Sequence, residues 1–101
     1  MERCSFLWRL YSMIRTKEFI LKNKLGLHAR AASKIVAILN RYKSEVFLAK
    51  DGERIDGKSI LEILTLACPM GSRIIVEAEG ADADDVMREI ETLIEEKFGE
   101  E

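Results

Sequence analysis

Several residue types are scarce in this sequence of 101 residues, and each scarcity excludes a class of site. There are two cysteines, Cys4 and Cys68, and a single histidine. These residues are too few for a zinc site or a disulfide framework, so we expect no metal, no other cofactor and a reducing, cytoplasmic location. No uninterrupted apolar run is long enough to cross a bilayer, so we expect no association with membranes.

The sequence also has no excess of basic residues, because 16 lysines and arginines are outnumbered by 18 acidic residues, giving a net charge of −2. This balance argues against binding nucleic acid through a basic surface. The charges are unevenly placed, since residues 77–101 are mostly acidic while four cations lie near the histidine. Those cations are Lys22, Lys24, Arg30 and Lys34. A basic patch of this kind suits a phosphorylated group and acidic partner surfaces.

Residues 1–16 differ in character from the rest of the chain. Their apolar residues are interrupted by Arg9, and no small-residue cleavage site follows, so a secretory signal is not predicted. We expect an N-terminal extension that is disordered or not native, with Met13 as an alternative start. Residues 17–101 are long enough for a single domain with one core.

Hydrophobic periodicity predicts seven elements in the order β-α-β-β-α-β-α. The expected strands cover residues 17–22, 45–50, 53–55 and 73–79, and the expected helices cover about 29–42, 59–67 and 82–98. Asp51-Gly52 predicts a tight hairpin between the second and third strands. Strands with one solvated face and helices with one apolar stripe predict a two-layer α/β domain.

Helix ends are indicated by capping residues. Ser59 followed by Glu62 predicts a capping box at the second helix, and Asp82 is the expected N-cap of the last helix. Pro69 disfavours helical geometry in the preceding residue, so the second helix is expected to end by Cys68.

The stretch from Leu25 to Ala32 contains the only histidine, His28, at the predicted start of the first helix. Gly26 permits a tight turn just before it, and Arg30 follows two residues later. A helix N-terminus offers unpaired N–H groups to an anion, and a guanidinium can donate two hydrogen bonds to phosphate oxygens. A neutral imidazole there has a free lone pair and can act as a nucleophile toward phosphorus. We therefore expect an exposed site that carries a phosphoryl group.

Two motifs resemble those of one known family. Gly26-Leu27-His28-Ala29-Arg30 is similar to the active-site motif of the HPr family, the histidine-containing phosphocarriers of the bacterial phosphoenolpyruvate-dependent phosphotransferase system. Lys58-Ser59-Ile60-Leu61 resembles the second motif of that family. The resemblance covers residues 17–98. It implies an α+β fold, an open-faced β-sandwich with a four-stranded antiparallel sheet in the order 1-4-2-3 and three helices on one face.

The resemblance also implies a function. His28 would accept a phosphoryl group at Nδ1 from Enzyme I and pass it to an Enzyme IIA domain, in sugar uptake or in a regulatory branch. Arg30 would stabilise the phosphate. Ser59 would be phosphorylated in bacteria that possess an HPr kinase/phosphorylase. Such a protein is a covalent carrier without turnover of its own, and we expect a monomer.

The second helix is apolar nearly all round, and one buried stripe does not account for all its apolar residues. In the family its exposed part helps to dock partners, so Leu61 and Leu64, with Ile60 next, are the expected partner-binding residues. An alternative function is a non-catalytic, HPr-like regulator that docks a partner through this helix.

One residue departs from the HPr motif, and one stretch matches the motif of a different class of protein. Ala31 occupies a position where the family most often has proline. Alanine leaves the backbone freer, and the expected difference in stability is about 0.4–1 kcal/mol. Residues 52–59 match the nucleotide-binding pattern GxxxxGK[ST]. We reject nucleotide binding, because these residues read as a hairpin strand and the chain is too short for the parallel sheet that carries such a loop.

Overall fold

The computed structural model describes residues 14–100 and contains four strands and three α-helices. The strands are β1 (Ile14–Ile20), β2 (Glu45–Lys50), β3 (Glu53–Asp56) and β4 (Arg73–Glu79). The helices are α1 (Ala29–Leu39), α2 (Ile60–Thr65) and α3 (Ala83–Glu95), followed by a 3₁₀ turn, Lys97–Gly99. The expected extension lies outside the described residues up to Met13, whereas residues 14–16 belong to β1.

The four strands form one antiparallel sheet in the order β1-β4-β2-β3, which confirms the predicted topology. The central strand β4 pairs with both β1 and β2, so that Val76 lies opposite Lys17 on one side and Leu48 on the other. The hairpin between β2 and β3 turns at Asp51 and Gly52, both at positive φ, as the sequence predicts.

The core lies between one face of the sheet and the helices. Alternate residues of the central strands are buried, and the stripe of each long helix packs against them. The buried residues of β4, α1 and α3 are Ile74, Val76, Ala78, Ala31, Ala32, Ile35, Leu39, Ala83, Val86, Ile90 and Ile94. Val36 and Leu93 pack against this core and are only partly buried. Ile75 lies on the open face of the sheet and is exposed.

Several predicted boundaries are wrong by a few residues. Strand β1 begins at Ile14, three residues before the predicted start, because its pairing with β4 continues to Glu79. Helix α1 ends at Leu39 rather than near residue 42. The last helix does not run to Gly99, since α3 ends at Glu95 and a 3₁₀ turn follows.

Both predicted N-cap residues are confirmed in position, but their side-chain hydrogen bonds differ in part from the prediction. Asp82 is the N-cap of α3 but makes no side-chain capping bond. Its carboxylate instead accepts from the Ser44 hydroxyl and from the backbone N–H groups of Lys43 and Ser44, at 2.9 and 3.0 Å. Ser59 does cap α2 by accepting from the Glu62 N–H at 3.3 Å, but Glu62 accepts from the N–H of Asp56 instead of completing the box.

Residues 52–59, which match the nucleotide-binding pattern, contain the hairpin strand that the sequence predicts. Residues 53–56 form β3 in an antiparallel pair with β2. The Lys58 ammonium donates to the backbone carbonyl of Tyr42 at 3.2 Å, which is a structural role. No helix within the described residues is long and apolar enough to span a membrane.

Candidate functional site

A tight turn sets the position of His28. The N–H of Gly26 donates to the Asn23 carbonyl at 3.2 Å, and the next N–H, of Leu27, donates to the Cys68 carbonyl at 2.8 Å. Gly26 has φ +66°, and a Cβ at this position would lie 2.2 Å from the Cys68 oxygen. Only glycine, which has no Cβ, tolerates both this positive φ and the close approach of the Cys68 oxygen. The turn therefore ties the loop before His28 to the segment after α2.

His28 is the N-cap of α1, with extended backbone at φ −85° and ψ −179°. Its carbonyl accepts the first helical hydrogen bond, from the N–H of Ala32 at 2.8 Å. Its side chain is 25% exposed, less than the open site that the sequence suggests, because Glu100 covers one edge of the ring.

The two ring nitrogens of His28 have different partners. Nδ1 accepts a hydrogen bond from the backbone N–H of Arg30 at 3.2 Å. Nε2 is hydrogen-bonded to Oε2 of Glu100. A carboxylate can only accept, so in the neutral ring Nε2 carries the proton and Nδ1 keeps its lone pair. Both contacts favour the same tautomer, with the unprotonated Nδ1 at the start of α1.

Glu100 is held from two further directions. Its Oε1 accepts from the side-chain amide of Asn23 at 3.1 Å, and the same amide donates to the Gly26 carbonyl at 2.7 Å. The hydrogen bond from His28 is the main cause that lowers the pKa of Glu100, and the bond from Asn23 and the nearby charge of Lys34 add to it. The carboxylate is therefore ionised at neutral pH.

The backbone that carries Glu100 is unusual. Lys97 and Phe98 both have positive φ, at 55° and 57°, although neither is glycine. Phe98 is buried in the core, and its carbonyl accepts from the ammonium of Lys34 on α1. A left-handed backbone conformation costs a residue other than glycine about 1–3 kcal/mol, and it persists where surrounding contacts hold it. These contacts direct the end of the chain back onto His28.

The ring of His28 borders a cleft of about 500 Å³. Half of its eight lining residues are cationic and one is a carboxylate: Lys22, Asn23, Lys24, Leu25, His28, Arg30, Lys97 and Glu100. The Arg30 side chain is exposed and makes no hydrogen bond or ion pair within residues 14–100. Lys22 is paired with Glu95 at 2.8 Å, and Lys34 is directed to Phe98 instead of to the cleft.

The remaining predicted residues lie on and around α2. Leu61 is 78% exposed, and Ile60 and Leu64 are also exposed. Ser59 is half-buried at the N-cap of the same helix. Ala31, where the family most often has proline, is fully buried in the first turn of α1. Among residues 14–100 there is no cluster of three or more histidine, cysteine or acidic side chains that could hold a metal ion.

Sequence reasoning missed Glu100 and Asn23. Glu100 lies 72 positions from its histidine partner, in an acidic tail where no spacing distinguishes it from its neighbours. Asn23 precedes the motif by three residues and reads as an ordinary loop residue. Its burial, at 1% exposure, is visible only in the folded chain.

Comparison with known proteins gives a consistent result. The model of the family described as "PTS HPr component phosphorylation site" matches residues 15–96. The phosphocarrier protein HPr of Neisseria meningitidis serogroup A is 45% identical over 78 residues, 77% of this chain and 88% of that protein. The HPr-like protein Crh of Halalkalibacterium halodurans is 38% identical over 80% of this chain and 96% of its own length.

A solved structure has the same fold. The crystal structure of HPr-C-His from Thermoanaerobacter tengcongensis superimposes with a TM-score of 0.83 at 36% identity, covering 86% of this chain and 98% of that one. The family model extends over most of the sequence, including all but the first residue of β1, the His28 turn and α2. The chain therefore belongs to the HPr family of phosphocarrier proteins of the phosphotransferase system.

Proposed function

We propose that this protein accepts a phosphoryl group on His28 from phosphorylated Enzyme I, which takes it from phosphoenolpyruvate, and passes it to Enzyme IIA-type domains. The observation that carries the proposal is the ring of His28, whose unprotonated Nδ1 lies at the N-terminus of α1 beside Arg30. The protein acts as a covalent carrier in the cytoplasm, as a monomer, with no cofactor and no turnover of its own. Its branch is sugar uptake or a regulatory phosphotransferase system.

The chemistry follows from the contacts of the ring. The lone pair of Nδ1 forms the new bond to phosphorus, while the bond to the donor breaks and its electron pair returns to the donor. The Arg30 N–H, which donates to Nδ1 in the unmodified protein, becomes available to a phosphoryl oxygen. The exposed Arg30 guanidinium can donate to the other oxygens. The ammonium groups of Lys24 and Lys97 add positive potential along the cleft.

Partner docking is proposed for the apolar surface next to this cleft. Leu61, Leu64 and Ile60 are exposed on α2, which buries only Ile63 completely. The hydrogen bond between Leu27 and Cys68 holds the segment after α2 against the loop before His28. A partner that covers this surface would thus bring its own phosphorylated residue close to Nδ1.

Ser59 is a proposed site of regulation by an HPr kinase/phosphorylase. Its hydroxyl accepts from the Glu62 N–H, and the acidic residues Asp56, at the end of β3, and Glu62, in α2, each lie three residues from it. A phosphate at Ser59 would add negative charge at the edge of the docking surface and repel acidic partners. The same surface supports the alternative function, a regulator that docks a partner without phosphoryl transfer.

Reconstituted transfer tests the proposal. The protein is incubated with phosphoenolpyruvate, an Enzyme I shown to phosphorylate an established HPr, and an Enzyme IIA domain. We expect an acid-labile label on this protein that moves to the IIA domain, and no label on His28→Ala. Absence of label on the wild-type protein would refute the carrier function. Partner binding that persists in His28→Ala, in the absence of wild-type labelling, would favour the regulator.

A further inference from the structure

Glu100 stands out among the charged groups around the cleft. Four cationic side chains line it, and Glu100 is the single carboxylate among the described residues that does. Its side chain is only 19% exposed, and it is directed at the ring of His28 instead of at solvent or at the cations. Neither the phosphoryl acceptance nor the partner docking proposed above gives it a role.

We propose, on the basis of the phosphocarrier function proposed above, that Glu100 is a positioning residue for phosphoryl transfer. Its carboxylate accepts the Nε2 proton of His28, holds the ring in the tautomer with a free lone pair on Nδ1, and stabilises the positive charge that the ring gains in the transfer.

The charge balance of the step gives the carboxylate its role. When Nδ1 donates its lone pair to phosphorus, the Nε2 proton stays on the ring, and the imidazole becomes formally positive. The bond from phosphorus to the donor breaks, and its electron pair leaves with the donor. Glu100 is hydrogen-bonded to the edge of the ring where the proton remains. The pair resembles the carboxylate–histidine arrangement that orients imidazoles in other transfer sites.

The fold holds Glu100 in place before the reaction. The buried amide of Asn23 donates to its other oxygen, and the same amide donates to the Gly26 carbonyl two residues before His28. The buried ring of Phe98 and the bond from Lys34 to the Phe98 carbonyl hold the turn that precedes it. Loop, helix α1 and chain end thus converge on one carboxylate, which needs no rearrangement during transfer.

Chemical phosphorylation tests this role without a docking partner. Phosphoramidate transfers its phosphoryl group to histidine and releases ammonia, so the rate reports the ring itself. We expect Glu100→Ala to accept phosphoryl about 10- to 100-fold more slowly than wild type, by analogy with the carboxylates that orient metal-binding histidines. Glu100→Gln keeps a hydrogen-bond acceptor but loses the charge, so it should recover part of the rate.

The matched control is Glu96→Gln, which removes a charge from the same tail at an exposed residue with no contact to His28. It should phosphorylate at the wild-type rate. A slowing equal to that of Glu100→Ala would overturn the proposal, because net charge alone would then explain both. Wild-type rates in Glu100→Ala would also overturn it.

A spectroscopic measurement separates this proposal from the phosphocarrier function. His28 is the only histidine, so its two ring nitrogens give an unambiguous pair of ¹⁵N signals. For the neutral ring we expect protonated Nε2 and unprotonated Nδ1 in wild type, and a larger share of the other tautomer in Glu100→Ala. If wild type takes no phosphoryl group, the carrier function fails. Unchanged nitrogen signals in Glu100→Ala would refute the role of Glu100 itself.

Discussion

Replacing Gly26 with alanine should be among the most damaging single changes in this protein. The new Cβ would lie 2.2 Å from the Cys68 oxygen and 2.8 Å from the Pro69 Cα, at a φ of +66°. The left-handed backbone costs alanine about 1–2 kcal/mol. Relief of the clash breaks the hydrogen bond from Leu27 to Cys68, for about 1 kcal/mol more. We expect a loss of about 2–4 kcal/mol in the free energy of unfolding, with packing included.

Urea and thermal denaturation measure this loss. For a domain of this size each kcal/mol lowers the Tm by about 4–8 °C, so we expect a fall of roughly 8–32 °C. Gly71→Ala is the matched control, because Gly71 has φ +90° but no atom within 4 Å of a Cβ. It should lose only the conformational part, about 1–2 kcal/mol. Equal losses in the two variants would refute the close contact as the reason for glycine at residue 26.

Three further changes have defined outcomes. Asp82→Asn should cost about 1–3 kcal/mol at neutral pH, because it removes a charged acceptor from Ser44. The hydrogen bond from the Ser44 hydroxyl is the main cause that lowers the pKa of Asp82 in the folded protein. The ionised Asp82 therefore contributes fully to the free energy of unfolding above its unfolded pKa, and this contribution is lost as the pH falls through the lower folded pKa. Ser59→Ala should destabilise by about 1 kcal/mol through loss of the α2 cap. Arg30→Ala should slow phosphoryl acceptance by His28 about 10- to 100-fold, the equivalent of one charged hydrogen bond.

Each of these outcomes has a direct check. Urea denaturation between pH 3 and pH 7 compares wild type with Asp82→Asn, and curves that stay parallel would contradict the assigned pKa. Ser59→Thr is the control for the cap, since it keeps the hydroxyl. For Arg30, unchanged single-turnover rates would show that its guanidinium takes no part in the transfer. Arg41→Ala is the control, because Arg41 follows the opposite end of α1 and does not line the cleft.

Local patterns predicted most of the fold. The alternation of Ile74, Val76 and Ala78 identified the central strand, and Asp51-Gly52 identified the hairpin, since both signals depend only on neighbours in sequence. The resemblance of the His28 and Ser59 motifs then supplied the strand order. The start of β1 was misplaced because pairing with β4, not hydrophobicity, determines where that strand begins.

The contacts that shape the site depend on residues far apart in sequence. Asp82 looks like a local cap, yet its carboxylate binds Ser44, 38 positions away. Glu100 binds His28 across 72 positions. Propensity and capping rules consider only hydrogen bonds between residues that are close in sequence. A partner that the tertiary fold brings near can replace such a local hydrogen bond, and no pattern of neighbouring residues indicates it. His28 could therefore be proposed as the nucleophile from the sequence, whereas its hydrogen bond to Glu100 could not be predicted.

The central claim is that Nδ1 of His28 carries the phosphoryl group. The most direct test is ¹⁵N and ³¹P NMR of the protein after reaction with Enzyme I and phosphoenolpyruvate, where the coupling identifies the nitrogen bonded to phosphorus. We predict one phosphoryl group per chain, bonded to Nδ1, with the Nε2 proton retained. A phosphoryl group on Nε2, on another residue, or on none would contradict this account.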